Sequence, residues 1–234
     1  ATTIPAKKIG LMKGLERKAI ASTITVLKSA GPVGEDIARR FIRYTDIPEQ
    51  KTANALADIK PKWDKLTRAE KDNLIDLRNM EFFRSHPNLK AQALYRAIEP
   101  LSPRVRELLP TIQQHTGKAT DMARSVGADV AEETRGFWPQ HLIDPKNFEH
   151  NEAFAKYLVS SGQMPDVLQA KNAMTAFARK YGEQKFMGME KARAFFVPSA
   201  KQLRDFGFDT ELSALETYLL GANKRIQGAI EFGE

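Results

Sequence analysis

The residues with the greatest capacity for chemistry or binding lie together in the stretch RGFWPQHL, residues 135–142. Arg135, Trp138 and His141 bring a guanidinium, an indole and an imidazole into one short segment, which Phe137 and Pro139 complete. Such a segment suits an active site, a partner-binding hot spot, or a packing anchor in which each large ring buries about 150 to 250 Å². The residue types favour the packing anchor, because Pro139 disfavours helix at Trp138 and large aromatic rings are highly buried on average.

Patterns typical of enzymes are not found elsewhere in the sequence. The four histidines lack the helical spacing of a metal site; they are His86, His115, His141 and His150. Glu132 and Glu133 are adjacent, so on a helix they diverge by about 100° and cannot share one site. No nucleophile, phosphate-loop or dinucleotide motif occurs, and no cofactor is predicted. An enzyme whose site assembles from scattered groups, such as Glu133, Arg135 and His141, is the least favoured alternative.

A second group of residues could bind nucleic acid. The second helical pattern carries three clustered arginines, Arg39, Arg40 and Arg43. Further along, three lysines surround a tryptophan; these are Lys60, Lys62, Trp63 and Lys65. A basic groove beside an exposed ring binds single strands by phosphate neutralisation and base stacking. The favoured alternative is that Trp63 belongs to the core and that the lysines solvate the edge of its helix.

Composition and charge limit the class of protein. The chain has 234 residues, 42% of them hydrophobic, and no cysteine, which excludes disulfides, thiol catalysis and cysteine-based zinc sites. The net charge of +7 is uneven: residues 1–100 hold 19 Lys+Arg and 12 Asp+Glu, whereas residues 101–234 hold 17 of each. We therefore predict a basic helical subdomain at 1–130 and a neutral one at 131–234, which contains an irregular segment at 182–209.

The sequence contains no apolar run of about 18 residues, so no membrane-spanning helix is predicted. Charged residues interrupt the apolar stretches near the N-terminus, so no signal peptide is predicted either. The chain begins without Met and ends on a helical pattern, and we expect it to be an excerpt of a longer chain.

Helical periodicity dominates the chain, and no convincing alternating strand occurs. The first pattern stops at the breaker pair Gly31-Pro32. The next places Ile37, Phe41 and Tyr44 on one apolar stripe and ends before Pro48, and Pro61 is expected to end or kink a third helix at 50–63. Thr67 and Glu70 form a capping-box pattern before another helix. That helix is expected to bury Leu74, Ile75 and Leu77.

Further helices are predicted downstream. Asn88–Glu99 forms a short one, and Ser102-Pro103 starts a long one that Pro110 is expected to kink. The remaining helical patterns cover 148–161, 165–181 and about 210–232. The last of them places Leu212, Leu215, Leu219, Ile226 and Ile230 on one apolar stripe. These patterns predict an all-α fold, an irregular multi-helix bundle in which an aromatic and proline-containing loop joins two helical parts. The alternative that the irregular region forms one short β-hairpin is not excluded by the patterns.

Four stretches of this sequence resemble helical regions of long phage-encoded polyvalent and internal virion proteins. They are LKSAGPVGEDIARRF, LTRAEKDNLIDLRN, RGFWPQHL and ALETYLLGANKRIQGAIEFG, the last with Tyr218, Arg225 and Phe232-Gly233. The resemblance spans about residues 25–233, and Trp138 and Pro198-Ser199 depart from its pattern.

The resemblance implies a non-enzymatic structural or interaction module within a very long chain. Its expected partners are other segments of that chain, other virion proteins, or DNA. Its expected location is the host cytoplasm during synthesis and then the virion. The shared elements are aromatic and apolar, so no catalytic residue is implied.

Overall fold

A computed structural model of the chain describes residues 21–84, 102–127, 138–183, 195, 197 and 199–233. These residues form an all-α multi-helix fold with one two-stranded ladder, as the periodicity predicts. The elements in chain order are α1 (21–29), α2 (Gly31–Trp63), α3 (Arg68–Arg84), α4 (Pro103–Ser125), β1 (His141–Leu142), α5 (Pro145–Glu149), α6 (Glu152–Ser160), α7 (Val167–Glu183), α8 (Ala200–Asp205), β2 (Phe208–Asp209) and α9 (Leu212–Phe232). The helix predicted at Asn88–Glu99 lies outside the described residues.

Helix α2 is longer than the sequence predicts. The chain turns at Gly31, whose φ of 80° suits glycine, and then continues for 33 residues through both Pro48 and Pro61. The prediction that a helix ends before Pro48 is wrong. Proline removes one helical hydrogen bond at a cost of about 3 kcal/mol, and burial of the Pro48 ring offsets part of that cost.

Helices α2 and α9 form the longest antiparallel pair of the described chain. Thr52 accepts a hydrogen bond from Asn223 Nδ2 at 3.1 Å, near the middle of both helices. Toward the end of α9, Arg40 Nη1 donates to the Glu231 carbonyl at 3.0 Å, and the ring of Tyr44 lies 5.7 Å from that of Phe232. The early part of α2 therefore lies beside the C-terminal turn of α9.

The predicted caps of α3 and α4 are present. Thr67 N–H donates to Glu70 Oε2 at 2.8 Å, and Glu70 N–H donates to Thr67 Oγ1 at 3.3 Å, which completes the capping box. Ser102 accepts from Val105 N–H at the start of α4. Helix α4 continues through Pro110.

The buried face of α3 differs from the prediction at one position. Leu74 and Ile75 are fully buried as expected. Leu77 is only partly buried, and Arg78 and Asn79 are each 1% exposed instead. Helix α3 packs against both α4 and α8. Its buried face is therefore wider than its apolar stripe, and it includes Arg78 and Asn79, which periodicity places at the edge of that stripe.

Strands β1 and β2 pair antiparallel, with His141 opposite Asp209 and Leu142 opposite Phe208. The Ile143 N–H extends the pairing by donating to the Gly207 carbonyl at 3.0 Å. The two strands are far apart in sequence, so the ladder is not the short hairpin left open above. It connects the segment after Trp138 to the segment before α9.

One hydrophobic cluster runs through the described residues of both predicted subdomains. It includes Ile59 and Leu74 from the first part and Phe148, Phe208 and Leu219 from the second. The predicted boundary near residue 130 lies outside the described residues, and side chains on either side of it share this core. None of the helices in the described ranges is long and apolar enough to cross a membrane.

Candidate functional site

Trp138 lies in the core, in contact with Trp63. The two indole rings stack, with centroids 5.3 Å apart and planes 14° from parallel. Trp63 is 2% exposed and Trp138 is 1% exposed. The burial of Trp138 is what the packing-anchor interpretation requires, and its contribution to stability stays a prediction.

Residues 138–142 are tied to three separate parts of the chain. Trp138 N–H donates to Asn79 Oδ1 of α3 at 3.3 Å, and Gln140 Nε2 donates to the Phe195 carbonyl at 2.8 Å. The third tie is the β1–β2 ladder. We call residues 138–142 the Trp138 segment; these hydrogen bonds fix its conformation, while Arg135 and Phe137 lie outside the described residues.

His141 is the candidate catalytic group whose position is described. It lies on β1 and is largely enclosed, and burial lowers its pKa to about 4 although Asp209 acts in the opposite direction. The imidazole is therefore neutral at pH 7. Glu133 and Arg135, its proposed partners in an active site, lie outside the described residues. In the described part of the chain, no three His, Asp or Glu residues are placed to bind a metal ion.

Trp63 is buried, in agreement with the favoured interpretation that it belongs to the core, so its ring is not available to stack with nucleic-acid bases. Its ring is covered by Trp138 on the core side, and Lys71 Nζ lies 5.2 Å from its centroid. Lys60 pairs with Asp64, and Lys62 lies 3.5 Å from Glu107. Lys65 is exposed, but without an accessible ring these lysines do not form the predicted stacking site.

Arg39, Arg40 and Arg43, the arginine cluster, lie on the exposed side of α2. Their side chains are 62%, 50% and 61% exposed. Asp36 lies 3.8 Å from Arg39 and 2.8 Å from Arg40, and Glu231 Oε2 lies 4.0 Å from Arg43. These carboxylates reduce the positive potential that the cluster presents to a polyanion.

Several large apolar side chains near the arginine cluster are exposed. Val33 and Ile37, which are 74% and 43% exposed, are four residues apart and so lie on one face of α2. We call this face the apolar end surface. Val26 of α1 and Ile230 and Phe232 of α9 are also exposed, at 69%, 55% and 45%. Sequence periodicity placed Ile37 and Ile230 on buried stripes, and their exposure contradicts that placement.

Two sets of contacts join α1 and α9 to α2. A Cβ on Gly34 would lie 2.0 Å from the Leu27 carbonyl oxygen, so the end of α1 packs directly on the start of α2. The Tyr44–Phe232 ring contact and the Arg40 hydrogen bond join the end of α9 to a later part of α2.

Sequence reasoning missed a buried polar network between α3, α4 and α9. Arg78 Nη2 donates to Thr116 Oγ1 at 3.2 Å. Burial raises the pKa of Tyr218 to about 12, although Thr120 and Arg78 act to lower it. A buried arginine leaves no periodic signal in a sequence, because the same residue type is common at the polar edge of any helix.

A second missed group joins α3 to α8 and α9. Arg204 makes a two-point contact with Asp72, with distances of 2.5 and 2.7 Å. Arg68 lies 3.2 Å from the same carboxylate and also bonds Glu211 of the turn before α9. Arg68, Asp72 and Asp76 are spaced four residues apart, so they lie on one face of α3. This spacing was the signal in the sequence from which the charged group could have been predicted.

Comparison of this chain with protein-family models, with curated proteins and with solved structures finds no match in any of the three. The described residues define the class by their fold alone, which is all-α and multi-helix with a buried aromatic core.

Proposed function

We propose that this chain is a helical structural or interaction module, of the kind found in long phage or prophage virion-associated proteins. The observation that carries the interaction role is the apolar end surface. Val33 and Ile37 lie on one face of the continuous helix α2, so they would present a preformed contact to another segment or protein. Binding at a preformed face avoids the entropic cost of ordering it.

The Trp138 segment supports the structural half of this proposal. The Trp138 ring is buried, and backbone and side-chain hydrogen bonds tie the segment to three parts of the chain, so it is suited to holding helices together. It presents no exposed indole to a partner. The interaction surface is therefore assigned to the end of the bundle formed by α1, α2 and α9.

Site-specific photocrosslinking combined with analysis of purified particles tests this proposal. A photoreactive residue at Val33 is expected to crosslink to a virion protein or to another segment of the parent chain. The matched control is the same substitution at Lys156, an exposed residue of α6. Absence of the chain's peptides from particles would contradict the virion assignment, and equal crosslinking from Val33 and Lys156 would contradict the interaction surface.

A second candidate function, nucleic-acid binding, is favoured by the exposure of all three side chains of the arginine cluster. The ion pairs with Asp36 and Glu231 weaken the case. So does the location of the excess charge: residues 1–20 hold 5 Lys+Arg and 1 Asp+Glu, whereas residues 21–84 hold 12 and 10.

A salt titration of DNA binding separates this candidate from the first. Each phosphate contact contributes about 0.9 to the slope of log K against log salt. Replacing the arginine cluster with alanine should therefore lower the slope by up to about 3, whereas Lys156→Ala with Lys201→Ala should leave it unchanged. Equal slopes for all three proteins would exclude the arginine cluster as the DNA-binding site.

A further inference from the structure

Two carboxylates of α3 hold both ends of helix α8. Asp72 binds Arg204 near the end of α8 through both guanidinium nitrogens, as described above. Asp76 accepts the Ala200 N–H, at the start of α8, at 2.6 Å. Because Asp72 and Asp76 are four residues apart, they lie on one face of α3. The N-cap residue Ser199 makes no side-chain capping bond, so Asp76 supplies the cap from another helix.

Asp76 is held in an environment that opposes its ionisation. Burial raises its pKa to about 6, and the like charge of Asp72 on α3 adds to this effect. The Ala200 N–H and Arg204 of α8 act in the opposite direction but do not compensate. These are the groups of α3 and α8 that act on the carboxylate. With a pKa of about 6, Asp76 is ionised at pH 7. Its ionisation there destabilises the closed form, in which α8 is packed on α3.

The chain continues from α8 directly into β2, whose Asp209 is paired with His141 of β1. The pKa of His141 is lowered to about 4 by burial, and Asp209 is the charged group that opposes this shift. Protonation of this imidazole is therefore disfavoured while the ladder is formed. The two attachments of one segment contain titratable groups whose pKa values are shifted in opposite directions.

We propose that residues 199–209, the α8–β2 strap, bind α3 more tightly and β1 less tightly as the pH falls from 7 to 5. The strap would thus exchange one attachment for the other in response to mild acid. This role goes beyond the proposed interaction surface and does not depend on it, since the strap shares no residue with that surface.

The sign follows from proton linkage. Opening of α8 from α3 would return Asp76 to a pKa near its ordinary value of 3.8. The closed form then binds more protons between pH 4 and 6, and closing becomes up to about tenfold more favourable at pH 5 than at pH 7. For His141 the open form binds more protons between about pH 4 and 6.5, so opening of the ladder is favoured over the same range.

Amide hydrogen exchange at pH 7 and pH 5, corrected for intrinsic rates, measures the two openings separately. The α8 opening is followed at the amides of Leu203 and Phe206, which donate to Ser199 and Gln202. The ratio of the wild-type opening constant to that of Asp76→Asn should fall about tenfold from pH 7 to pH 5. Taking this ratio cancels any effect of His141, which is common to both proteins.

The matched control is Asp205→Asn, which changes an exposed carboxylate of the same helix. Its ratio to the wild type should be independent of pH. The ladder is followed at the Ile143 amide, where the ratio of the wild-type opening constant to that of His141→Gln should rise from pH 7 to pH 5.

A pH-independent ratio for Asp76→Asn would overturn the attachment to α3, and a pH-independent ratio for His141→Gln would overturn the attachment to β1. If Asp76→Asn fails to fold, the carboxyl ¹³C signal of Asp76 and the amide signal of Ala200 are titrated in the wild type. A common midpoint near pH 6 supports the strap. A midpoint below about 4.5 for the carboxyl overturns it.

Discussion

Replacing Trp138 with alanine tests whether the stacked tryptophans hold the fold together. Full burial of an indole removes about 150 to 250 Å² from water, which at about 25 cal/mol per Å² corresponds to roughly 4 to 6 kcal/mol. The loss of stability is smaller than this figure for two reasons. The alanine side chain still buries part of the area, and the surrounding residues move in to fill part of the cavity. We therefore expect Trp138→Ala to lower the free energy of unfolding by about 3 to 5 kcal/mol.

Urea denaturation followed by circular dichroism at 222 nm measures this change, because the helical signal does not depend on either tryptophan. Ile143→Ala is the control, since Ile143 is 70% exposed just after the Trp138 segment and should cost less than about 0.5 kcal/mol. A loss below about 1 kcal/mol for Trp138→Ala would refute the packing anchor.

A double-mutant cycle then isolates the ring contact. Trp63→Ala and Trp138→Ala are measured singly and together, and the coupling should be about 0.5 to 1.5 kcal/mol. Trp138→Phe adds a chemical control. Trp138 Nε1 has no hydrogen-bond partner in the described part of the chain, so phenylalanine loses no bond there and should cost less than alanine. Additive losses for the two alanine variants would show that the rings do not stabilise one another.

Three further substitutions test other contacts. His141→Gln should remove up to about 3 kcal/mol of the acid destabilisation between pH 6.5 and 4, measured by urea denaturation across that range; an unchanged pH profile would contradict a buried neutral imidazole. Arg204→Lys should cost about 1 kcal/mol, because an ammonium cannot make the two-point contact with Asp72, and a loss no larger than that of Lys201→Ala, an exposed control on α8, would contradict it. Asn223→Ala should cost about 1 kcal/mol through loss of the buried bond to Thr52, and an unchanged melting curve would show that the bond contributes nothing.

The helical fold could be predicted because its caps and periodic residues are local signals. The Thr67–Glu70 capping box and the Ser102 cap depend only on residues three positions apart, and both are present. Helix α9 is likewise found where its apolar stripe begins, with Leu215, Leu219 and Ile226 buried. Local signals of this kind are read directly from the sequence.

The errors arose where packing overrode a local rule. Pro48 normally ends a helix, but burial against the rest of the bundle keeps α2 continuous. Arg78 replaces Leu77 on the buried side of α3 because its guanidinium finds Thr116 on α4. Ile37 and Ile230 belong to apolar stripes of α2 and α9, but no other element of the described chain covers them and both are exposed. Which positions are covered depends on the tertiary arrangement, which periodicity does not contain.

The candidate site was predicted less well than the fold, for a related reason. The sequence marks RGFWPQHL as the most chemically dense segment, but density of functional groups does not distinguish a binding site from a core. The burial of Trp138 and the hydrogen bonds of Trp138 N–H and Gln140 Nε2 favour the packing anchor, because these groups are already bonded to α3 and to Phe195. We propose that partner binding occurs instead at the end of the bundle where Val33 and Ile37 remain exposed. The role of the aromatic segment in stabilising the fold stays a prediction, which the Trp138→Ala measurement tests.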